Sequence, residues 1–285
     1  MTAARFFAID RATPGVWRAT YSNPPINLLP PAAIVELQGL VTAVEADASA
    51  RVLVFDSADP DFFVAHFDTA KAGELPREPG PSGHSPWIDV VVRLARSPVV
   101  SIAKIRGRAR GVGSEFVLAC DMRFASRQRA ILGQPEVGVG LPPGGGALEW
   151  LPRLAGRARA LEIVLSGDDF DAETAERYGW INRALDDSAL DGFVDSLARR
   201  LASFERQTLG SLKGLVNRVG VPDGDAVEAS NQAFFAALAQ PAAQARRSRL
   251  GALGYGERSE FELNFGRHLP DLQPRPAATP SGARS

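Results

Sequence analysis

The chain has 285 residues, 45% of them apolar and 23% charged, which is the ordinary composition of a soluble globular protein. Its 32 lysine and arginine residues nearly balance 33 aspartate and glutamate residues, so no net basic field exists to attract nucleic acid or an anionic membrane. One cysteine, no visible signal segment and no apolar run of the ~20 residues that span a bilayer predict a soluble, cytoplasmic protein without an internal disulfide.

The first elements expected along the chain are a helix, a strand and a long loop. Apolar residues recur at helical spacing over 32–46, and the β-branched and aromatic run 52–56 predicts a buried strand. Residues 71–86 contain four prolines and three glycines, which predicts a mobile loop. A helix is expected to follow over 87–95, where the apolar residues again have helical spacing.

Strands and helices then alternate, which favours an α/β architecture. Strands are expected over 99–105 and 123–125, with the first turns of a buried helix over 115–120 between them. After Gly146 the pattern becomes helical, and Asp171 and Gly179 occupy the positions of an N-cap and a C-terminal glycine. The helices predicted in this half cover 158–165, 171–179, 190–201 and 225–238.

Two short motifs set a glutamate beside glycines in apolar surroundings. The first, Gly111-Val-Gly-Ser-Glu115, joins a predicted strand to a predicted helix, and the second, Gly133-Gln-Pro-Glu136, ends 21 residues later. Glycines in such a turn allow a sharp change of direction, and the N–H groups that begin the helix attract a phosphate or a developing oxyanion. Taken alone, the first motif is equally typical of a structural turn. Two glutamates held near one cavity would form a general acid/base pair.

Several other kinds of site do not match the sequence. The glycine order is neither a Rossmann fingerprint nor a P-loop, and no nucleophile elbow surrounds Ser114. His66, His84 and His268 lack the spacing of metal ligands, so no metal site is expected. Cys120 lies in an apolar run and is interpreted as a core thiol.

Residues 98–121 resemble the central motif of the crotonase, or enoyl-CoA hydratase/isomerase, superfamily. The resemblance covers roughly residues 15–215, with its motifs in the family's order. It implies an α/β fold that is a spiral of ββα units with a helical C-terminal region, through which the chains assemble as a homotrimer or a dimer of trimers. The other matching segments are Asn23-Pro-Pro-Ile-Asn27, 65–68, Gly133-Gln-Pro-Glu136, 140–146, 151–161, 166–168 and 175–182.

The same resemblance implies an acyl-CoA thioester as substrate, with no separate cofactor because CoA enters as part of the substrate. Matched position by position, Glu115 and Glu136 are the acid/base pair, and the backbone N–H groups of Phe67 and Val112 form the oxyanion hole. The substrate-binding positions that the match implies are Ala65, His66, Asp68, Gly111, Pro135 and Gly144. We expect a core with the acyl-CoA site over 1–205, a helical C-terminal region over 206–270 and a disordered tail over 271–285.

The match departs from the family at three places. Val112 replaces a residue that is usually glycine, and a β-branched side chain resists a positive φ. His66 and Phe67 replace glycine and alanine in the other oxyanion loop, and the Phe67 side chain must point either into the acyl pocket or away from it. Residues 255–268 do not resemble the family's usual C-terminus, which often helps to close the pocket of a neighbouring subunit.

The leading interpretation is a hydratase-type lyase that adds water to a 2-enoyl-CoA. A second interpretation is another reaction of the same superfamily, such as double-bond isomerisation, thioester hydrolysis or a biosynthetic lyase step. A third is a catalytically weak member that binds acyl-CoA, with both glutamates satisfied by structural hydrogen bonds.

Overall fold

The computed structural model describes residues 6–272, which form ten strands and twelve α-helices. The strands are β1 (Phe7–Asp10), β2 (Val16–Tyr21), β3 (Val52–Ser57), β4 (Phe62–Val64), β5 (Val100–Ile105), β6 (Arg108–Arg110), β7 (Met122–Ser126), β8 (Ile131–Gly133), β9 (Asp169–Asp171) and β10 (Arg183–Leu185). The helices are α1 (Pro31–Ala46), α2 (Pro86–Arg96), α3 (Val112–Ala119), α4 (Ala147–Ala155), α5 (Arg157–Ser166), α6 (Ala172–Tyr178), α7 (Asp187–Ala202), α8 (Arg206–Gly220), α9 (Gly224–Leu238), α10 (Pro241–Gly251), α11 (Glu260–Leu263) and α12 (Phe265–His268). Short 3₁₀ helices cover Thr69–Glu74, Pro135–Val139 and Leu269–Leu272.

Three successive pairs of strands build two sheets. β3, β5 and β7 lie side by side in a six-stranded sheet of order β1-β2-β3-β5-β7-β10, and β4, β6 and β8 lie in a four-stranded sheet of order β4-β6-β8-β9. Within each of these two sets of three strands the pairing is parallel. Each ββα unit therefore adds one strand to each sheet, and its helix connects to the first strand of the next unit. The predicted α/β spiral of ββα units is therefore confirmed, and β3, β5 and β7 are the three strands expected from the sequence.

The larger sheet is covered on both faces, because alternate side chains of a strand point to opposite sides. Val52 and Val54 pack against α7, whereas Leu53 and Phe55 point into the main core beneath α1, α2 and α3. Buried apolar residues on both faces explain why β3 has an unbroken apolar run rather than an alternating pattern.

The proline-rich loop over 71–86, expected to be mobile, is hydrogen-bonded to two helices. Its first residues belong to the 3₁₀ helix Thr69–Glu74. Further along, the backbone N–H of Ser82 donates to Asp89 Oδ1 at 2.8 Å, and both the N–H and the hydroxyl of Ser85 donate to Glu228 Oε2 at 2.9 Å. The loop is thus attached to α2 and α9, through partners that local composition does not reveal.

The helices from α8 onward occupy the predicted C-terminal region, 206–270. α9 packs on α2 and α4, α12 packs on β9 of the smaller sheet, and the 3₁₀ helix Leu269–Leu272 packs on the 3₁₀ helix Pro135–Val139. The division at residue 205 stays a prediction. Of the predicted tail, residues 271 and 272 belong to the last 3₁₀ helix, and 273–285 lie outside the described residues. Between residues 6 and 272, no helix is long and apolar enough to cross a membrane.

Candidate active site

A cavity with about 670 Å³ of empty space, part of it open to solvent, lies between the ends of the ββα units and the returning helix α9. Most of the residues predicted for the site line it: His66, Phe67, Gly111, Val112, Glu115, Pro135, Glu136 and Gly144. The other two lie just outside this wall. Ala65 packs with Ile26 and Phe62, and the carboxylate of Asp68 is 3.4 Å from Lys71 Nζ, so Asp68 organises its loop.

Glu115 lies in the first turn of α3, and its side chain is turned inward so that only 3% of the residue is exposed. Its Oε1 accepts hydrogen bonds from the backbone N–H of Gly145 at 2.6 Å and of Ala147 at 3.3 Å. Burial raises the pKa of Glu115 to about 7, although these two N–H groups act to lower it. The carboxyl group therefore changes protonation state near neutral pH.

Glu136 reaches the same cavity from the 3₁₀ helix Pro135–Val139. The amide of Gln134, with its nitrogen turned toward Glu136, places that nitrogen 3.0 Å from Oε2 and 3.1 Å from Oε1, while its oxygen accepts from Ser114 Oγ at 3.0 Å. Burial raises the pKa of Glu136 well above its usual value, and the negative charge of Glu115 raises it further. Two neighbouring buried carboxyl groups do not both ionise readily, so the negative charge of one favours the protonated form of the other.

Gly145 is required by the crowding around Glu115. A Cβ atom at Gly145 would lie 2.3 Å from Trp87 Nε1 and 2.4 Å from Glu115 Oε2, closer than any real contact. Both atoms thus face the space that Gly145 leaves by lacking a side chain. Within the described part of the chain, the buried Trp87 N–H has no hydrogen-bond partner, so it remains available to the free oxygen of Glu115.

The Val112 N–H is presented at the start of α3, where no intrahelical acceptor exists for it. The concern that Val112 must resist a positive φ is wrong, because the left-handed conformation falls on Gly111, with φ of 51°, and Val112 is not among the positive-φ residues. A side chain at Gly111 would also come within 2.8 Å of Glu136 Oε1. Valine at 112 is therefore compatible with an exposed donor at this position.

The Phe67 N–H is presented by a short parallel bridge to Leu29. The N–H of Leu29 donates to the His66 carbonyl at 2.9 Å, and the Asp68 N–H donates to the Leu29 carbonyl at 3.0 Å. No acceptor between residues 6 and 272 takes the Phe67 N–H. The side chain of Phe67 lines the cavity and meets the rings of Phe234 and Phe235 edge-on, at centroid distances of 6.3 and 6.5 Å.

Several lining residues were not predicted from the sequence. They come from α2, α9 and the C-terminal segment, and include Trp87, Asn231, Phe234, Phe235, Tyr255 and Phe265. The i, i+3, i+4 spacing of Asn231, Phe234 and Phe235 shows that they share a helix face, but not what the face covers. Tyr255 and Phe265, in the segment that does not resemble the family's usual C-terminus, line the cavity of their own chain.

The histidines do not assemble a metal site. His66 Nε2 is 2.9 Å from Glu262 Oε1, and His84 Nε2 is 3.2 Å from Asp225 Oδ1. Among residues 6–272 there is no group of three or more metal-ligating side chains that could hold a metal ion.

Comparison with known proteins supports the family resemblance that the sequence motifs indicate. A sequence profile described as Enoyl-CoA hydratase/isomerase matches residues 11–264, a span that includes every predicted site residue. The crotonyl-CoA hydratase of Syntrophomonas wolfei is 33% identical over 189 residues, covering 64% of this chain and 71% of its own. The short-chain-enoyl-CoA hydratase of Clostridium acetobutylicum is 28% identical over 193 residues, covering 68% and 74%. The crystal structure of a Streptomyces avermitilis protein, provisionally named an enoyl-CoA hydratase, is 42% identical with a TM-score of 0.90 and covers 96% of this chain and 100% of that one.

Proposed function

The chain belongs to the enoyl-CoA hydratase/isomerase family, and from this premise we propose that it adds water to the double bond of a 2-enoyl-CoA thioester. The observation that carries the proposal is the pair of buried glutamates in one cavity, where the charge of one opposes ionisation of the other, and we assign the base to Glu115 and the acid to Glu136. An ionised base and a protonated acid, side by side at neutral pH, are what a water addition needs.

The proposed reaction begins when the Glu115 carboxylate takes a proton from a water molecule. The hydroxide oxygen bonds to the β-carbon, and the electron pair of the double bond moves through the conjugated system to the thioester oxygen. The Phe67 and Val112 N–H groups stabilise the resulting enolate, where one preorganised donor is worth about 3–4 kcal/mol. Collapse of the enolate takes a proton from Glu136 onto the α-carbon, and proton transfer from Glu115 back to Glu136 restores the pair.

The test is Glu136→Gln, which keeps the side-chain shape but cannot donate the acid proton. Turnover of crotonyl-CoA, followed by the loss of its conjugated absorbance, is expected to fall by about 10²–10⁴-fold. Affinity for a saturated acyl-CoA, measured by calorimetry, should be nearly unchanged. Glu162→Gln is the control, because this exposed carboxylate accepts a hydrogen bond from the Tyr178 hydroxyl and does not line the cavity. Normal turnover in Glu136→Gln would rule the assignment out.

A second candidate is double-bond isomerisation, favoured by the position of both glutamates in one cavity. An acid and a base in one cavity can move a proton between the α- and γ-carbons of an enoyl-CoA without consuming water. Product analysis of 2-enoyl- and 3-enoyl-CoA substrates separates the two reactions, since only hydration gives a 3-hydroxyacyl-CoA.

We also propose that the chain assembles with copies of itself through α8. This helix buries no residue, and it exposes four apolar side chains at the spacing of one helix face: Leu212 (58%), Leu215 (52%), Val216 (72%) and Val219 (89%). A contiguous apolar patch of this kind marks an interaction surface. Light scattering should give a trimer or hexamer for the natural chain, and Val216→Asp with Val219→Asp should give a monomer.

A further inference from the structure

We propose that Glu262 and His66 are positioning residues that hold the two oxyanion donors at their working separation. This inference rests on the proposed oxyanion role of Phe67 and Val112. It concerns a different part of the chain, the C-terminal segment, which carries no reacting group.

The His66 ring is held on every side. Its Nε2 is 2.9 Å from Glu262 Oε1, and its Nδ1 is 3.1 Å from the Phe67 carbonyl oxygen. Tyr255 stacks on the ring at a centroid distance of 4.4 Å and an interplanar angle of 12°, with its hydroxyl 3.1 Å from Nδ1. A ring with this many contacts fixes the peptide that follows it, and that peptide carries the Phe67 N–H.

The contact between His66 and Glu262 is buried and directional. Glu262 Oε1 also accepts from the Gly256 N–H at 2.8 Å, so the same oxygen contacts both the ring and the segment before α11. Burial of both His66 and Glu262 makes the geometry of this contact strict, because water cannot replace either partner.

Glu262 also reaches the second donor, through its backbone. Its carbonyl oxygen accepts from Arg110 Nη1 at 2.6 Å, and Arg110 is the last residue of β6, two positions before Val112. The guanidinium of Arg110 is fixed in turn by Asp169, with two contacts of 2.7 Å. One residue of α11 thus contacts the strand before Val112 with its backbone and the loop before Phe67 with its side chain.

This bridge matters because an oxyanion hole acts through geometry. Two donors stabilise an enolate oxygen only if both lie within hydrogen-bond distance of the same point. Each donor sits on a separate loop, and a misplacement of about 1 Å can cost about 10²-fold in rate. Glu262 is the residue that touches both supports, so its loss should loosen the hole without removing either N–H group.

The experiment compares Glu262→Ala, which removes the acceptor of the His66 Nε2 contact, with Glu260→Ala, a control on the same short helix whose exposed side chain bonds Asn264. The probe is a cinnamoyl-CoA thioester, because its absorption moves to longer wavelength when the donors polarise its carbonyl group. Glu262→Ala keeps the backbone carbonyl that accepts from Arg110, so the variant releases only the support of Phe67. In Glu262→Ala the red shift is expected to shrink and kcat for crotonyl-CoA to fall by about 10- to 100-fold, with KM nearly unchanged. In Glu260→Ala both should match the natural chain.

The outcomes separate this proposal from the function on which it rests. A full red shift and normal kcat in folded Glu262→Ala would overturn the positioning role and leave the oxyanion hole intact. No red shift in the natural chain would overturn both. If Glu262→Ala does not fold, as judged by circular dichroism, His66→Asn provides the same readout, because asparagine cannot bridge Phe67 and Glu262 together. An unchanged red shift in His66→Asn would then refute the proposal.

Discussion

Glu115 is expected to lower the stability of the fold at neutral pH, and Glu115→Gln tests this. Burial raises its pKa from 4.5 to about 7, against the opposing effect of the Gly145 and Ala147 N–H groups. Between these values the folded chain holds a proton that the unfolded chain has released, so stability falls as the pH rises through this window. At about 1.4 kcal/mol per pKa unit, the ionised side chain costs about 3 kcal/mol of unfolding free energy at pH 8.

Glutamine has nearly the same volume, and its Oε1 can still accept the Gly145 N–H, but it has no proton to release. The stability of Glu115→Gln relative to the natural chain is therefore expected to increase by about 2–3 kcal/mol between pH 5 and pH 8. Urea unfolding at one protomer concentration, followed by circular dichroism at several pH values, measures this difference. The exposed Glu257→Gln is the control, and its difference from the natural chain should not depend on pH.

A difference that stays constant with pH, or a Glu115→Gln variant that is less stable at pH 8, would refute this reasoning. Either result would mean that the cavity accepts the charge of Glu115 without cost. The same variant is expected to lose hydration of crotonyl-CoA, so stability should rise as activity falls. A buried charge that is needed for activity is expected to lower stability in this way.

Three further variants test the surroundings of the glutamates. Gly145→Ala should lower kcat by about 100-fold or more in a steady-state assay, because the added Cβ would displace Glu115, whereas Gly39→Ala, with open space around it, should leave kcat unchanged. Trp87→Phe removes the N–H that faces Glu115 Oε2, so kcat should fall by up to about tenfold and the acid limb of its pH profile should move to higher pH. Trp180→Phe removes another unpartnered indole N–H outside the cavity, and its pH profile should match that of the natural chain. Val112→Gly should lower the unfolding free energy by about 2 kcal/mol, since it removes a buried valine side chain, and a large gain in kcat would contradict the view that Val112 already presents its N–H.

Local patterns predicted the elements of the core but not the partners that complete the cavity. The run at 52–56 and the apolar spacing at 32–46 reflect burial along one element, which a single stretch of sequence encodes. The contact between His66 and Glu262 joins residues 196 positions apart, and no local pattern encodes it. The loop 71–86 shows the same limit, since its prolines indicate a loop but not the carboxylates of Asp89 and Glu228 that hold it.

The unusual residues of this chain depend on one another rather than arising separately. A buried histidine in the oxyanion loop would be costly without a partner, and a fully buried Glu262 without His66 would be costlier still, about 3–5 kcal/mol for a broken buried pair. The atypical C-terminal segment supplies that partner, and it also supplies the ring of Tyr255 that stacks on His66. Histidine at 66 therefore requires a C-terminal segment that returns to its own cavity. A glycine at 66 would remove the need for an acid at 262. The histidine in the oxyanion loop and the atypical C-terminal segment are therefore two parts of one departure from the family. The valine at 112 is independent of them.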